Sequence, residues 1–314
     1  MLDESSIKEL SEKHYNGTLV SIEQTHESLA LFRVKPDFPI PDYKSGQYTT
    51  LGLGYWEPRH EDAVPEKELN DKKIRRLVRR AYSVSHPVVN SDGELFKPEK
   101  LDFLEFYIVL VIGSDGQPAP GLTPRLFLKN EGDRINVGQK FTGEYTLNCM
   151  DDIRERGGSL VVFGGTGTGE GPHNRMIWEL LSTGYKGRIA SVNVVRYKKD
   201  LAYEAIYREL EKKYPNLTYH TLTTRESDTL HNKVYVQDYI ESGQFEEKIG
   251  RKMDPSDTHI FLCGNPAMLG IPKVRGGEKI WPEGKMGVIQ IMENRGFTMD
   301  YSRTKGNIHY EKYW

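Results

Sequence analysis

The stretch SLVVFGGTGTGEGPHNRMIWELL, residues 159–181, decides how this chain folds. It opens on Leu160, Val161, Val162 and Phe163, a short apolar run that reads as a buried parallel strand. Glycines then alternate at Gly165, Gly167, Gly169 and Gly171, ahead of Pro172 and an amphipathic run expected to be helical over 172–183. Glycine permits positive φ and close backbone approach, and proline suits the first turn of a helix. A strand, a glycine-rich turn and a helix start together aim backbone N–H groups and a positive dipole end at an anion. The ligand expected there is a nucleotide pyrophosphate. The spacing is not G-x-G-x-x-G, because the last position of each possible frame falls on Glu170, Pro172 or Asn174. The turn therefore lies outside the fingerprint of folds that bind a dinucleotide at their first strand. A turn that merely lets a helix pack close to a sheet would use the same glycines, so other stretches must decide.

Downstream, strand and helix patterns alternate. Strands are expected near 159–163, 188–195, 217–222 and 258–262, with helices over 172–183, 200–214 and 233–242. Within 200–214, Tyr203, Ile206, Tyr207, Leu210 and Tyr214 recur at helical spacing and predict a buried stripe. Alternation of this kind implies a parallel sheet that binds ligands beyond the carboxyl ends of its strands. Upstream, residues 15–145 are mostly β in pattern. Runs over 18–22, 30–34, 47–51 and 104–111 are rich in strand formers and punctuated by turn residues, which predicts an antiparallel barrel or sandwich. The charged segment 55–73 breaks this rhythm and reads as a surface insertion. The expected organisation is a β domain over 1–150 and an α/β domain over 151–314, ending in an aromatic tail.

With 314 residues the chain is long enough for two cores. A net charge of −2 predicts no general attraction to nucleic acid. The mean hydropathy of −0.61, and the lack of any run near the ~18 apolar residues of a membrane span, predict no membrane partner. The acidic start MLDESSIKEL carries no apolar signal region, so a cytoplasmic protein is expected. Only two cysteines occur, Cys149 and Cys263, which excludes an iron–sulfur cluster held by four cysteines. The nine histidines include no H-E-x-x-H pair, and no metal site is expected.

Three further stretches carry chemistry. Arg80, Ala81, Tyr82 and Ser83 end a probable strand; arginine can grip a phosphate, tyrosine can cover a flat ring, and serine can donate to a ring nitrogen. Gly121, Leu122, Thr123 and Pro124 read as a turn with Thr123 as helix N-cap, a second anion-ready helix start. Cys263, Gly264, Asn265 and Met268 follow directly on the strand expected near 258–262, which puts a thiol at the carboxyl end of a sheet strand. Each has a plain structural alternative: a strand with a surface arginine, a capped helix, a buried cysteine.

Taken in order, R-A-Y-S, G-L-T-P-R-L, T-G-T-G-E-G-P, C-G-N-P-A-M and the ending Glu311, Lys312, Tyr313, Trp314 resemble the ferredoxin–NADP reductase family, most closely its bacterial branch. The resemblance spans about residues 15–314, apart from 55–73 and parts of 270–300. It implies a β-barrel for FAD and an α/β domain for NADP(H). Arg80 would bind the FAD phosphate, Tyr82 would stack on the isoalloxazine, and Ala81 and Ser83 would complete the flavin motif, with Ser83 near N5. Tyr107, Ile108 and Val109 would line the ribityl and ring, Gly121, Leu122 and Thr123 would hold the diphosphate, and Trp314 would stack on FAD. Thr166, Gly167 and Thr168 would meet the NADP pyrophosphate, while Cys263, Gly264, Asn265 and Met268 would lie on the nicotinamide side. Ser83, Tyr82 and Cys263 are the implied catalytic residues. The implied reaction passes hydride from NADPH to FAD and single electrons on to ferredoxin or flavodoxin, an acidic carrier.

The choice of NADP has support apart from the resemblance. The strand over 188–195 runs into Arg196, Tyr197, Lys198 and Lys199, where NAD-preferring sites often carry an acidic residue. Positive charge there suits a 2′-phosphate, and Thr224, Arg225 and Lys233 align with the family's other phosphate contacts, although close members carry arginine where Lys233 stands. Glu170 is a departure, since the family has an apolar residue there and a carboxylate could repel pyrophosphate. Arg75, Arg76 and Arg79 precede the flavin motif and are candidates for docking the carrier. The alternatives are a reductase component that serves an oxygenase, with NADH or NADPH, and a non-catalytic nucleotide-binding subunit.

Overall fold

The computed structural model describes residues 2–66, 68–96, 101–114, 119–150, 158–302 and 304–313. The chain divides into two compact units, one of residues 1–87 and 96–144, the other of residues 88–95 and 145–314.

The first unit begins with an amphipathic helix that the β-pattern did not foretell, α1 (Glu4–His14), capped by the Asp3 carboxylate on Ser6 N. Six strands follow, β1 (Gly17–His26), β2 (Leu29–Pro36), β3 (Tyr48–Gly54), β4 (Leu77–Ser83), β5 (Leu104–Val109) and β6 (Arg134–Val137), with the short helices α2 (Asp71–Ile74) and α3 (Thr123–Leu126). The strands form one antiparallel sheet in the order β4-β3-β6-β1-β2-β5. A bridge between Ser85, just past β4, and Glu105 of β5 brings the two edges together, so the sheet curls on itself as a barrel. Leu19, Phe32, Val34, Leu51, Leu53, Phe106 and Ile135 fill its interior, each almost fully buried.

The second unit is built on a parallel sheet. Its elements are β7 (Leu160–Thr166), α4 (Glu170–Ser182), β8 (Arg188–Val195), α5 (Glu204–Lys213), β9 (Leu217–Thr223), α6 (Val236–Glu241), α7 (Gln244–Ile249), β10 (Thr258–Gly264), α8 (Pro266–Leu269), the hairpin β11 (Lys273–Arg275) and β12 (Glu278–Ile280), α9 (Val288–Glu293) and β13 (Ile308–Lys312). The sheet order is β13-β10-β7-β8-β9, with every neighbouring pair parallel. Strands β7, β8 and β9 run outward on one side while β10 and β13 extend the other. The order therefore reverses between β7 and β10, and that reversal opens a crevice beyond the strands' carboxyl ends.

The helix expected over 233–242 is α6, three residues shorter at its start, and a second helix that was not expected, α7, follows after Gly243 restarts the chain at φ 79°. The expected stripe on α5 is real: Tyr203, Tyr207 and Leu210 are buried, and Tyr207 stacks on Tyr219 of β9 at 4.3 Å between centroids. The aromatic tail contributes an edge strand, β13, which sequence reading had not identified as β.

The segment 55–73 is exposed at Glu61, Asp62, Glu68 and Asp71 to Lys73, as its charge leads one to expect, but parts of it pack into the first unit. Ala63 is buried, and Val64 N and His60 N donate to Ile112 O and Pro124 O. Two of its acidic residues, Glu57 and Glu66, serve as internal anchors. Glu57 accepts from the Tyr15 hydroxyl at 2.6 Å and from Lys129 at 2.8 Å, and Glu66 takes both arms of the Arg125 guanidinium, at 2.7 and 3.1 Å.

Candidate functional site

In the second unit, β7 delivers Thr166 to the sheet's carboxyl edge, and Gly167 turns the chain at φ 55° into α4. The 3-10 turn Gly167–Gly169 runs directly into α4, with Glu170 N donating to Gly167 O, and no side chain caps the start of either, so the backbone of this glycine turn faces the crevice without a competing side-chain acceptor. Across the crevice, β10 ends at Cys263 and Gly264. A Cβ on Gly169 would come within 2.2 Å of Cys263 O, and one on Gly264 within 2.1 Å of Thr166 Oγ1. Glycine is therefore dictated by the close approach of two backbones, and the Thr166 hydroxyl joins them by accepting from Asn265 N at 2.8 Å. Thr166 and Gly167 stay partly open, while Thr168 is buried.

Glu170 resolves differently from its sequence reading. Its side chain is buried to 1% exposure and accepts from the Tyr219 hydroxyl at 2.5 Å. Burial pushes its carboxyl up to about 7, against the pull of Tyr219 and Asn193. The group is held beneath the turn and ionises only near neutral pH, which weakens the repulsion of pyrophosphate expected from the sequence.

Two cations meet at the ends of β8 and β9. Arg225 N donates to Arg196 O at 2.8 Å, and Thr224 is locked by its own N–H and hydroxyl to Val195 O. Arg196 and Arg225 are exposed; Arg196 has only a 3.9 Å approach to Asp200, and Arg225 makes no ion pair among the described residues. Lys233 is also exposed, in the stretch before α6, and no described contact draws it to the other two.

Cys263 is fully buried, and burial followed by the nearby Glu311 pushes its thiol well above the ordinary range. It remains a thiol and lies beneath the rim that Gly264 and the exposed Asn265 form. Asn265 caps α8 by accepting from Ala267 N at 2.8 Å, and Met268 is part of the sheet's core. No disulfide joins Cys149 to Cys263.

In the first unit, β4 presents Arg80 and Ala81 to solvent, with Tyr82 half-buried and Ser83 buried beside them. Arg80 makes no ion pair among the described residues. The Tyr82 ring meets Phe106 edge-on at 6.5 Å, and burial pushes its phenol upward, so it stays protonated. Tyr107 and Ile108 of β5 are buried, and Val109 is partly open. At the 121–123 turn the expected cap is corrected. Leu122 occupies the N-cap and Thr123 the first helical position, and the Thr123 hydroxyl accepts from Val111 N at 3.2 Å. Trp314 lies outside the described residues.

Sequence reading assigned no role to Arg125, which is 2% exposed and ties the turn to residues 55–66 through Gly121 O, Tyr55 O, Glu57 O and Glu66. The signal was present as an arginine inside an otherwise apolar turn, but its partner stands 59 residues away. The fold also gathers Cys149, His259 and His309, which no sequence motif announces.

The site residues thus form an open cation beside a half-covered aromatic ring in the first unit, and a glycine turn with two neighbouring arginines in the second. Residues 163–273 match the family described as the oxidoreductase NAD-binding domain. The chain is 31% identical over 241 residues to a flavodoxin/ferredoxin–NADP reductase of Shigella flexneri, covering 76% of this chain and 81% of that protein. It is 27% identical over 287 residues to the protein of that name from Buchnera aphidicola, covering 90% and 93%. A solved ferredoxin NADP+ reductase of Neisseria gonorrhoeae, with bound FAD and NADP, superposes with a TM-score of 0.67 at 19% identity, over 95% of this chain and 97% of its own. No helix among the described residues is long and apolar enough to cross a membrane. A barrel followed by a parallel sheet that reverses at its glycine turn, together with sequence identity at this level, makes this chain a member of the flavodoxin/ferredoxin–NADP reductase family.

Proposed function

We propose that this protein is an FAD-dependent oxidoreductase that moves electrons between NADPH and a ferredoxin or flavodoxin. The single observation that carries the reading is the crevice between β7 and β10, where two backbones close on each other through Gly169 and Gly264 and leave the start of α4 without a capping side chain. Such a cradle takes a pyrophosphate. Arg196 and Arg225, set side by side by a backbone hydrogen bond, favour a 2′-phosphate over a bare ribose hydroxyl.

FAD, when bound, converts between the paired electrons of a nicotinamide and the single electrons of a small carrier. The chain supplies position and charge. Arg80 would bind a flavin phosphate, Tyr82 would cover the ring, Ser83 would lie at the ring edge, and Gly121 to Thr123 would hold the diphosphate. Arg125, already saturated by Glu66 and three carbonyls, fixes the shape of that turn rather than touching the cofactor. Cys263 would help exclude water from the nicotinamide side as a neutral thiol. Arg75, Arg76 and Arg79 are all exposed, which suits an acidic carrier. Two thiols unlinked by a disulfide accord with work in the cytoplasm.

The test is to load the purified chain with FAD and to follow its reduction by NADPH and by NADH, then the onward reduction of a ferredoxin and a flavodoxin. Yellow protein with one FAD per chain, faster reduction by NADPH and turnover with either carrier is the expected result. A preparation that takes up no FAD, or selects FMN, defeats the assignment.

A further inference from the structure

Beside the 121–123 turn of the first unit, two arginines face one carboxylate. Arg125 is saturated: both its Nη atoms reach Glu66, and its other hydrogen bonds go to backbone carbonyls. Arg59 is not. Its side chain is only 14% exposed, its Nη1 donates to Val64 O at 3.0 Å, and its Nε stops 3.9 Å from Glu66 Oε1, beyond hydrogen-bond reach. Nε and Nη2 are shut off from solvent with no partner. Lys73 is a third cation whose charge bears on Glu66. Among the described residues, Glu66 is the only carboxylate that pairs with either arginine.

A guanidinium does not shed its proton in a protein, so burial without full pairing costs free energy that something must offset. Burial lowers the Arg59 pKa, Glu66 holds it up, and the charge of Arg125 presses it down again. The surplus charge is positive, and it adjoins the turn. His60 N, one residue on from Arg59, donates to Pro124 O at 2.8 Å, and Arg125 Nη1 donates to Gly121 O at 2.7 Å. A Cβ on Gly121 would come within 3.3 Å of Glu66 Oε1. Apolar side chains in place of a buried ionic cluster are often neutral or stabilising, so a half-paired arginine held here points to a ligand that uses its charge.

We propose that Arg59 is a positioning residue for the FAD diphosphate: with Arg125 it keeps a positive charge against the 121–123 turn that one glutamate leaves unneutralised, and the diphosphate completes the balance. The inference rests on the reading of that turn as the diphosphate site. Because its unpartnered nitrogens are closed to solvent, Arg59 acts through fixed charge rather than as a direct donor. A charge in that setting is screened little by salt and keeps its pull on an anion held nearby. FAD brings two negative charges to the turn, whereas riboflavin brings none and gains nothing from the cluster. Glu66 holds the two guanidiniums together in the absence of the cofactor, and the segment 55–66 thereby serves cofactor retention as well as packing.

The experiment titrates the full chain, stripped of flavin, with FAD and with riboflavin, and follows the quenching of flavin fluorescence. Arg59→Gln should weaken FAD by about ten- to a hundredfold and leave riboflavin within about twofold. Arg59→Lys should recover much of the lost FAD affinity, since it restores the charge without the fork. The unfolding temperature of the flavin-free Arg59→Gln chain should stay level or rise, because a poorly paired buried charge has gone. A glutamine variant that fails to fold, or that weakens FAD and riboflavin alike, would make Arg59 a structural residue and overturn the proposal, as would unchanged FAD affinity. A parent chain that takes up no FAD would sink the reading of the turn together with the proposal.

Discussion

Replacing Glu170 by glutamine tests how the buried carboxyl beneath the pyrophosphate turn is tuned. In the folded chain its pKa rises from 4.5 to about 7, chiefly through burial. The unfolded chain loses this proton near 4.5, so between those values the folded state holds more protons and stability must fall as pH rises. Below about 4.5 the group costs nothing; above about 7 the full penalty applies, with no further change. A shift of that size, at about 1.4 kcal/mol per unit, amounts to about 3 kcal/mol. Glutamine keeps an oxygen for the Tyr219 hydroxyl and cannot ionise. The stability gap between Glu170→Gln and the parent should therefore widen by about 2–3 kcal/mol from about pH 5 to about pH 8. Denaturant titrations of both proteins at the two pH values measure this directly. The comparison between pH values cancels whatever constant difference the amide introduces. If the two stability profiles run parallel across that range, Glu170 is ionised in the folded protein at mildly acidic pH and the argument fails.

Three other outcomes follow from the structure. Arg196→Ala and Arg225→Ala should each weaken NADPH roughly ten- to a hundredfold and leave NADH nearly unchanged, which steady-state kinetics with both nucleotides will show. Glu66→Ala strands the buried Arg125 and should cost near the low end of about 3–5 kcal/mol, because Glu66 keeps 20% exposure; unfolding curves and FAD retention report it together. Burial raises the Glu66 carboxyl but its bonds to Arg125 more than offset this, so the pair's contribution is present above the unfolded carboxylate range and is lost as pH falls through the lowered folded value. Gly169→Ala forces a Cβ to within 2.2 Å of Cys263 O, and should cost about 1–3 kcal/mol by overpacking while weakening NADPH binding, readable by thermal shift and titration.

The sequence by itself determined the local grammar of this protein. Period-two and period-3.6 patterns follow from backbone geometry, so the antiparallel first half, the alternating second half and the buried face of α5 were legible. The glycine turn after β7 and the basic run after β8 were legible for the same reason, since turn chemistry and charge act over a few residues. Elements with weak or short patterns were missed, among them α1, the helix α7 and the edge strand β13. What tertiary structure alone decided is every property that depends on a distant neighbour. Glu57 and Glu66 looked like a solvated acidic run, yet they anchor Tyr15, Lys129 and Arg125. Glu170 looked like a negative charge at a phosphate site until Tyr219, 49 residues away, and the surrounding core raised its pKa. Cys149, His259 and His309 share no spacing motif, because adjacent parallel strands bring together residues 50 apart. The physical reason is common to all three. Hydrogen-bond partners and the local dielectric are set by what the fold packs around a group, and a linear pattern encodes only what lies within a turn or two of the chain.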